Sequence, residues 1–205
     1  MMRSILLLAC VACTARVTPT APLENTAAPI QTATATASES EAPVEPPSGP
    51  SLYDLPITLT TSTGAKLGFD VARGEPVLVS MFYASCSVAC PLLVSEVQQT
   101  LAELPPGMRV RVLLVSFDAA RDTPEKLATL AHERKLDERF TLAAASDADA
   151  RALAAVLGVK YRRLANGEFA HGSTIVALDA EGREIARADS LGQRGALVRG
   201  LAALH

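Results

Sequence analysis

Residues 76–91 read Pro76-Val77-Leu78-Val79-Ser80-Met81-Phe82-Tyr83-Ala84-Ser85-Cys86-Ser87-Val88-Ala89-Cys90-Pro91. Val77 to Phe82 is a near-continuous apolar run, the pattern of a strand buried on both faces in the middle of a sheet. Cys90-Pro91 opens a helix, because proline is tolerated in the first turn, where its missing N–H has no helical partner to lose. Leu93, Val97, Leu101 and Leu104 then line one face at spacings of four, four and three, and Pro105-Pro106-Gly107 stops the helix. Strand, loop and helix in this order put Cys86 and Cys90 at the carboxyl end of a central strand. Open α/β sheets carry their ligand and catalytic sites at such ends.

The pattern extends in both directions. Upstream, Leu55 to Thr60 alternates as a strand, Gly64 marks a turn, and Lys66 to Phe69 returns, giving an N-terminal β-hairpin. Downstream, Val110 to Phe117 is a second buried strand. Thr123-Pro124-Glu125 supplies a cap, a first-turn proline and an acid at the start of a helix running to about Lys135, with Leu127, Leu130 and Ala131 inward. Phe140 to Leu142 is a short strand. Ser146 caps a helix that turns Leu153, Val156 and Leu157 inward and ends at Gly158. Val159 to Leu164 and Thr174 to Leu178 read as strands, Asp179-Ala180-Glu181-Gly182 as a turn, Arg183 to Arg187 as a return strand, and residues 193–204 as a last helix. No internal repeat is visible. Strands with helical crossovers and a closing hairpin predict an α/β fold, a mixed central sheet flanked by helices. A thioredoxin-like fold matches this order.

Composition sets limits on the rest. The chain has 205 residues, 49% of them apolar, and a net charge of −3, which gives no basic field for nucleic acid. Residues 1–50 hold no aromatic side chain. Residues 14–50 contain seven of the 13 prolines, the acids Glu24, Glu39, Glu41 and Glu45, and one base, Arg16. Such a segment has little apolar surface to bury and is expected to be a disordered tether, with a reach of about 35 Å. Before it, Met1-Met2-Arg3, the apolar Ile5 to Ala9 and the pair Cys10 and Cys13 have the parts of a secretory signal. Leu7-Leu8-Ala9-Cys10 resembles the lipobox of bacterial lipoproteins, and Val11-Ala12-Cys13 is a second candidate. The expected organisation is residues 1–13 as signal and lipobox, 14–50 as tether, and 51–205 as one folded domain.

Cys86 and Cys90 have three residues between them, where the common thiol redox motif has two. At the start of a helix the i, i+4 spacing brings the sulfurs to one side, so a disulfide or two thiolate ligands on one metal ion are both open. A structural disulfide is the plainer alternative. His171, in Ala170-His171-Gly172-Ser173 just before the strand at Thr174, offers a third ligand. Thiol oxidoreductases of this fold usually place a cis-proline there, yet no proline follows Pro124. Two thiolates and one imidazole make a soft, low-coordination set suited to Cu(I), with the imidazole helping to accommodate Cu(II). Zinc would want a fourth ligand. His132 falls on a solvated helix face, His205 is terminal, and Cys10 and Cys13 lie at the far end of the tether.

Three motifs together resemble the Sco (SenC) family of copper-binding, thioredoxin-like proteins. They are Phe82 to Pro91 with its two cysteines, Ser116-Phe117-Asp118-Ala119-Ala120-Arg121-Asp122-Thr123-Pro124, and His171 followed by a strand and Asp179 to Gly182. The resemblance implies that Cys86, Cys90 and His171 bind copper and that Cys86 and Cys90 form a redox-active pair. It implies anchoring outside the cytoplasmic membrane, on the periplasmic side. Its partners would be a copper donor protein and a client, a cytochrome c oxidase subunit whose copper centre it helps to assemble. Ser87 and Ala119 stand where the family often has proline, which leaves room for another copper enzyme as client, such as a nitrite or nitrous oxide reductase. An alternative function is a thiol–disulfide oxidoreductase that keeps client cysteines reduced. A peroxidase is not expected, because Met81 to Ser85 do not supply the context of a peroxidatic cysteine. In the second motif Thr123 and Pro124 start a helix and Asp122 accepts hydrogen bonds in the turn. Arg121 pairs with a carboxylate or holds the loop, and Asp118 orients His171 or the cysteine loop. Tyr83 shields the site or packs in the core.

Overall fold

The structure is a computed structural model that describes residues 49–86 and 89–205. The signal and lipobox reading, and the tether reading as far as residue 48, lie outside the described residues. The strands are β1 (Thr58–Thr61), β2 (Lys66–Gly68), β3 (Val77–Phe82), β4 (Arg111–Ser116), β5 (Phe140–Ala145), β6 (Tyr161–Arg163), β7 (Phe169–His171), β8 (Ile175–Leu178) and β9 (Glu184–Ala188). The helices are α1 (Ala89–Ala102), α2 (Pro124–Glu133), α3 (Asp147–Leu157) and α4 (Arg194–Ala202). Seven strands form one sheet in the order β2-β1-β5-β4-β3-β8-β9. The three middle strands β5, β4 and β3 are parallel, and β1 and β8 add to them antiparallel.

The apolar run at residues 77–82 is the centre of this sheet: all six β3 side chains are buried. Each large side chain buried there contributes about 1.5–3 kcal/mol, and truncating Phe82 to alanine costs about 3–5 kcal/mol. Helix α1 runs from the end of β3 and packs against α4, which also covers β8 and β9, while α2 and α3 pack against β5. The caps fall where the sequence puts them. Thr123 Oγ1 accepts from the Lys126 N–H and Ser146 Oγ from the Asp149 N–H. Gly158 closes α3 at φ +69°, a left-handed conformation that glycine adopts without penalty.

Four features differ from the sequence reading. Helix α1 ends at Ala102, so Leu104 packs against the core from beyond it. Strand β5 continues past Leu142 through Ala143, Ala144 and Ala145, because pairing with β4 and β1 imposes extension on alanines that have little strand preference of their own. Helix α3 buries Ala150, Leu153, Ala154 and Leu157, whereas Val156 is 43% exposed. Finally, the segment 159–164 does not join the main sheet. Its core, β6, pairs with β7 in a separate two-stranded ribbon, with Tyr161 opposite His171 and Arg163 opposite Phe169. His171, placed from the sequence just before the strand at Thr174, is itself the last residue of a strand, β7.

Candidate metal centre

The chain leaves β3 at Phe82 and turns at once. The Cys86 N–H donates to the Tyr83 carbonyl at 3.2 Å, and α1 starts three residues later. The Cys90 N–H, in the first turn of α1, donates to Cys86 Sγ at 3.4 Å. The Cys90 thiol lies close enough to donate to the Tyr83 carbonyl, at 3.2 Å. Both residues carry thiols. Cys90 is buried and Cys86 half-buried. Burial is the main reason that the Cys90 thiol is pushed up to about 12, with the neighbouring Cys86 and Asp122 adding to it.

His171 comes to the same place from the ribbon. Its Nδ1 lies 2.8 Å from the Gly172 carbonyl oxygen. A carbonyl only accepts, so Nδ1 is the donor, and in the neutral ring Nε2 is then the nitrogen with the lone pair. Nε2 is buried and has no hydrogen-bond partner among the described residues. The ring is held edge-on by Tyr83 at 5.6 Å and by Phe117 at 5.4 Å. The ligand atoms of Cys86, Cys90 and His171 all lie within 4.8 Å of one another. Two sulfurs and an orphaned imidazole lone pair at this separation fit one soft metal ion. All three residues singled out from the sequence are brought together. His132 and His205 are exposed on the surface.

The loop after β4 braces this site. Asp122 is buried, and its Oδ2 accepts the Ala84 N–H at 2.7 Å and the Ser116 hydroxyl at 2.6 Å. Lys126 Nζ lies 3.7 Å from Asp122 Oδ1 and donates to Ser85 Oγ at 2.6 Å. The carboxylate that grips the cysteine loop is thus Asp122. Asp118, expected to orient His171 or that loop, instead accepts from Arg121 Nε through its carboxylate and donates its backbone N–H to the Ser116 hydroxyl oxygen at 3.0 Å.

Arg121 reaches further. Its Nη1 lies 3.6 Å from Glu168 Oε1, and its guanidinium sits over the rings of Tyr83 and Phe169 at 5.8 and 5.7 Å. Glu168 Oε2 accepts the Tyr83 hydroxyl at 2.8 Å. Burial and this carboxylate hold the Tyr83 phenol protonated well above its ordinary range. Tyr83 both packs in the core and shields the site. Glu168 and Phe169 were not anticipated from the sequence. A charged turn residue and a three-residue strand give no periodic signal.

A mixed sheet with two cysteines at the end of its central strand and a histidine facing them defines a thioredoxin-like protein with a candidate soft-metal centre. The SCO1/SenC family model matches residues 46–205, and the chain belongs to that family. No curated protein matches it. Among solved structures it is similar to Arabidopsis thaliana ScoI with copper bound, at 15% identity and TM-score 0.64 over 72% of this chain and 94% of that one. It is similar to a SCO1/SenC family lipoprotein from Bacillus anthracis str. Ames, at 18% identity and TM-score 0.64 over 74% and 95% of the two chains. It is also similar to yeast Sco1 with copper bound, at 17% identity and TM-score 0.63 over 75% and 88%. At these identities the likeness establishes the fold.

Proposed function

We propose that this chain is a copper metallochaperone that assists assembly of the copper centre of cytochrome c oxidase or a related copper enzyme. The observation that carries the reading is the buried, unpartnered Nε2 of His171 within 4.8 Å of two cysteine sulfurs. Copper is the cargo. Cys86 and Cys90 bind it as thiolates and His171 Nε2 completes the set. Loading removes the proton from Cys90, which costs more than for an ordinary thiol because the site is dry. The rigid turn at Ala84 and Ser85 and the ring walls of Tyr83 and Phe117 hold the ligands in place. Transfer is ligand exchange: each client thiol that takes up the copper passes its proton to the chaperone sulfur it displaces.

In this reading residues 1–13 are a signal and lipobox, Cys10 or Cys13 carries the lipid, and residues 14–50 tether the domain to the outer face of the cytoplasmic membrane. The SCO1/SenC lipoprotein among its relatives supports that placement, and the copper-bound relatives support the cargo. The test is transfer. Cu(I)-loaded protein mixed with the apo copper domain of an oxidase should give up its copper in proportion to the domain added. A domain that stays empty overturns the reading.

Thiol–disulfide exchange with client cysteines is the second reading, favoured by the two sulfurs lying within 4.8 Å of each other and by the Cys90 N–H that donates to Cys86 Sγ. It needs Cys86 and Cys90 alone, so His171→Ala would retain exchange with a disulfide peptide at the wild-type rate.

A further inference from the structure

A cleft of about 690 Å³ opens on the far side of Phe117, the ring that packs edge-on against His171. By contrast, the space lined by Cys86, Cys90, Pro91 and Arg134 holds only about 10 Å³. The cleft lies at the carboxyl ends of β4 and β5, where sheets of this kind bind their ligands. Its floor is apolar: Phe117, Ala154, Val159, Tyr161 and Phe169. Phe117 and Tyr161 stack at 4.5 Å, and Phe117 is the same ring that braces His171. The rim is cationic. Arg151, Lys160, Arg162 and Arg163 are all exposed, and none forms an ion pair among the described residues. Two acids also line it: Asp118 is taken up by Arg121, and Asp147 is exposed at the start of α3. Four unpaired cations around an aromatic floor, on a chain whose net charge is −3, are a local field of opposite sign to the whole.

We infer that this cleft docks an acidic segment of the protein that receives the copper, with one aromatic or aliphatic side chain seated on the Phe117–Tyr161 floor between carboxylates held by Arg151, Lys160 and Arg162. The inference rests on the metallochaperone reading for the identity of the partner, but the surface itself does not depend on copper. Docked there, the partner sits one ring away from His171, because Phe117 lines the cleft and packs edge-on against the imidazole. Each copper–sulfur bond broken at Cys86 or Cys90 is replaced by one to an acceptor thiol, whose proton passes to the freed cysteine, and copper stays Cu(I) throughout. Charge complementarity of this kind acts mainly on the association rate and on partner choice.

The experiment has two arms on the full chain. In the first, the metal-free, isotope-labelled protein is titrated with a pentapeptide of one phenylalanine flanked by glutamates, and with its lysine counterpart. Only the acidic peptide should shift resonances of Arg151, Lys160, Tyr161 and Arg162. The double variant Arg151→Glu with Arg162→Glu, both exposed, should abolish the shifts while the remaining spectrum stays folded. In the second, Cu(I) transfer to a glutamate-flanked dithiol peptide should slow about tenfold in that variant, while transfer to an uncharged dithiol peptide is unchanged. Shifts that fall elsewhere, or that the lysine peptide reproduces, overturn the docking surface. So does a transfer rate that ignores the charge reversal. A protein that binds no copper would fail the metallochaperone reading and leave the first arm to decide the surface.

Discussion

Asp122 accepts the backbone N–H of Ala84 at 2.7 Å, which ties the start of α2 to the turn that carries Cys86. The carboxylate is buried, and it also takes the Ser116 hydroxyl from the end of β4. One side chain therefore fixes the cysteine loop against the two central strands. Asp122→Ala leaves a half-buried N–H and a buried hydroxyl without their acceptor, at about 1–3 kcal/mol for the buried hydroxyl and less for the N–H. The expected result is a lower midpoint in urea unfolding together with a tenfold or greater loss of Cu(I) affinity, measured by competition with a chromogenic chelator. Unchanged affinity in a variant that is still folded would show that the loop keeps its shape without this brace.

The ribbon that carries His171 is held by a separate set of contacts. Tyr83 donates to Glu168, and Arg121 spans Asp118, Glu168 and two rings. Tyr83→Phe removes one hydrogen bond, a loss of about 0.5–1.5 kcal/mol. Amide exchange at Phe169 to His171 should quicken in that variant, while exchange in β3 and β4 stays as it is. Uniform quickening across the sheet would mean that the bond serves global stability rather than the ribbon.

Arg121→Ala should act on the same ribbon through the copper spectrum. Loss of the clamp loosens His171 relative to the two sulfurs, so the Cu(II) absorption bands should shift. Cu(I) binding, which the thiolates dominate, should weaken less. Arg121→Lys keeps the charge but not the planar fork and should restore the spectrum only in part. A wild-type spectrum in Arg121→Ala would remove Arg121 from the positioning of the site.

Alkaline pH offers a test that needs no metal. The Cys90 thiol stands at about 12 in the folded chain, against 9.0 for an ordinary one. A group raised on folding contributes stability that is fully present below its unfolded value and is lost as pH rises through the folded value. The thiol form of Cys90 thus stabilises the metal-free protein up to about pH 9, and that contribution drains away between about 9 and 12. Tyr53, also pushed up to about 12 by burial, begins to act only above its ordinary 10.0. Thermal midpoints should therefore fall from pH 9 to 10 in wild type and stay flatter over that interval in Cys90→Ala.

The sequence revealed β3, the start of α1 and the helix caps because each carries a local signal. An unbroken apolar run, a cysteine–proline pair and capping side chains need no knowledge of distant neighbours. His171 was legible from its place just before β8. What stayed hidden depends on partners far along the chain. The alanines of β5 extend because β4 and β1 flank them, and β7 exists as a strand only opposite β6. Val156 and Ala154 exchange roles on α3 because the side facing β5 is set by packing, and a small residue fits there. Asp118 and Asp122 share one motif, four residues apart, and spacing alone cannot tell which carboxylate turns to the cysteine loop. The ring cluster of Tyr83, Phe117, Tyr161 and Phe169 gathers side chains from three separate stretches, and the cleft beside it follows from that gathering.

The most direct test of the central claim is an anaerobic titration of the full chain with Cu(I) and with Cu(II), beside His171→Ala, with the thiols of Cys86 and Cys90 counted before and after. The account predicts one copper bound tightly per domain, both thiols protected in the loaded protein, and a marked loss of affinity, greatest for Cu(II), when the imidazole is removed. Weak binding in wild type, or equal binding in His171→Ala, would contradict it, since the site would then be a dithiol pair with a bystander histidine.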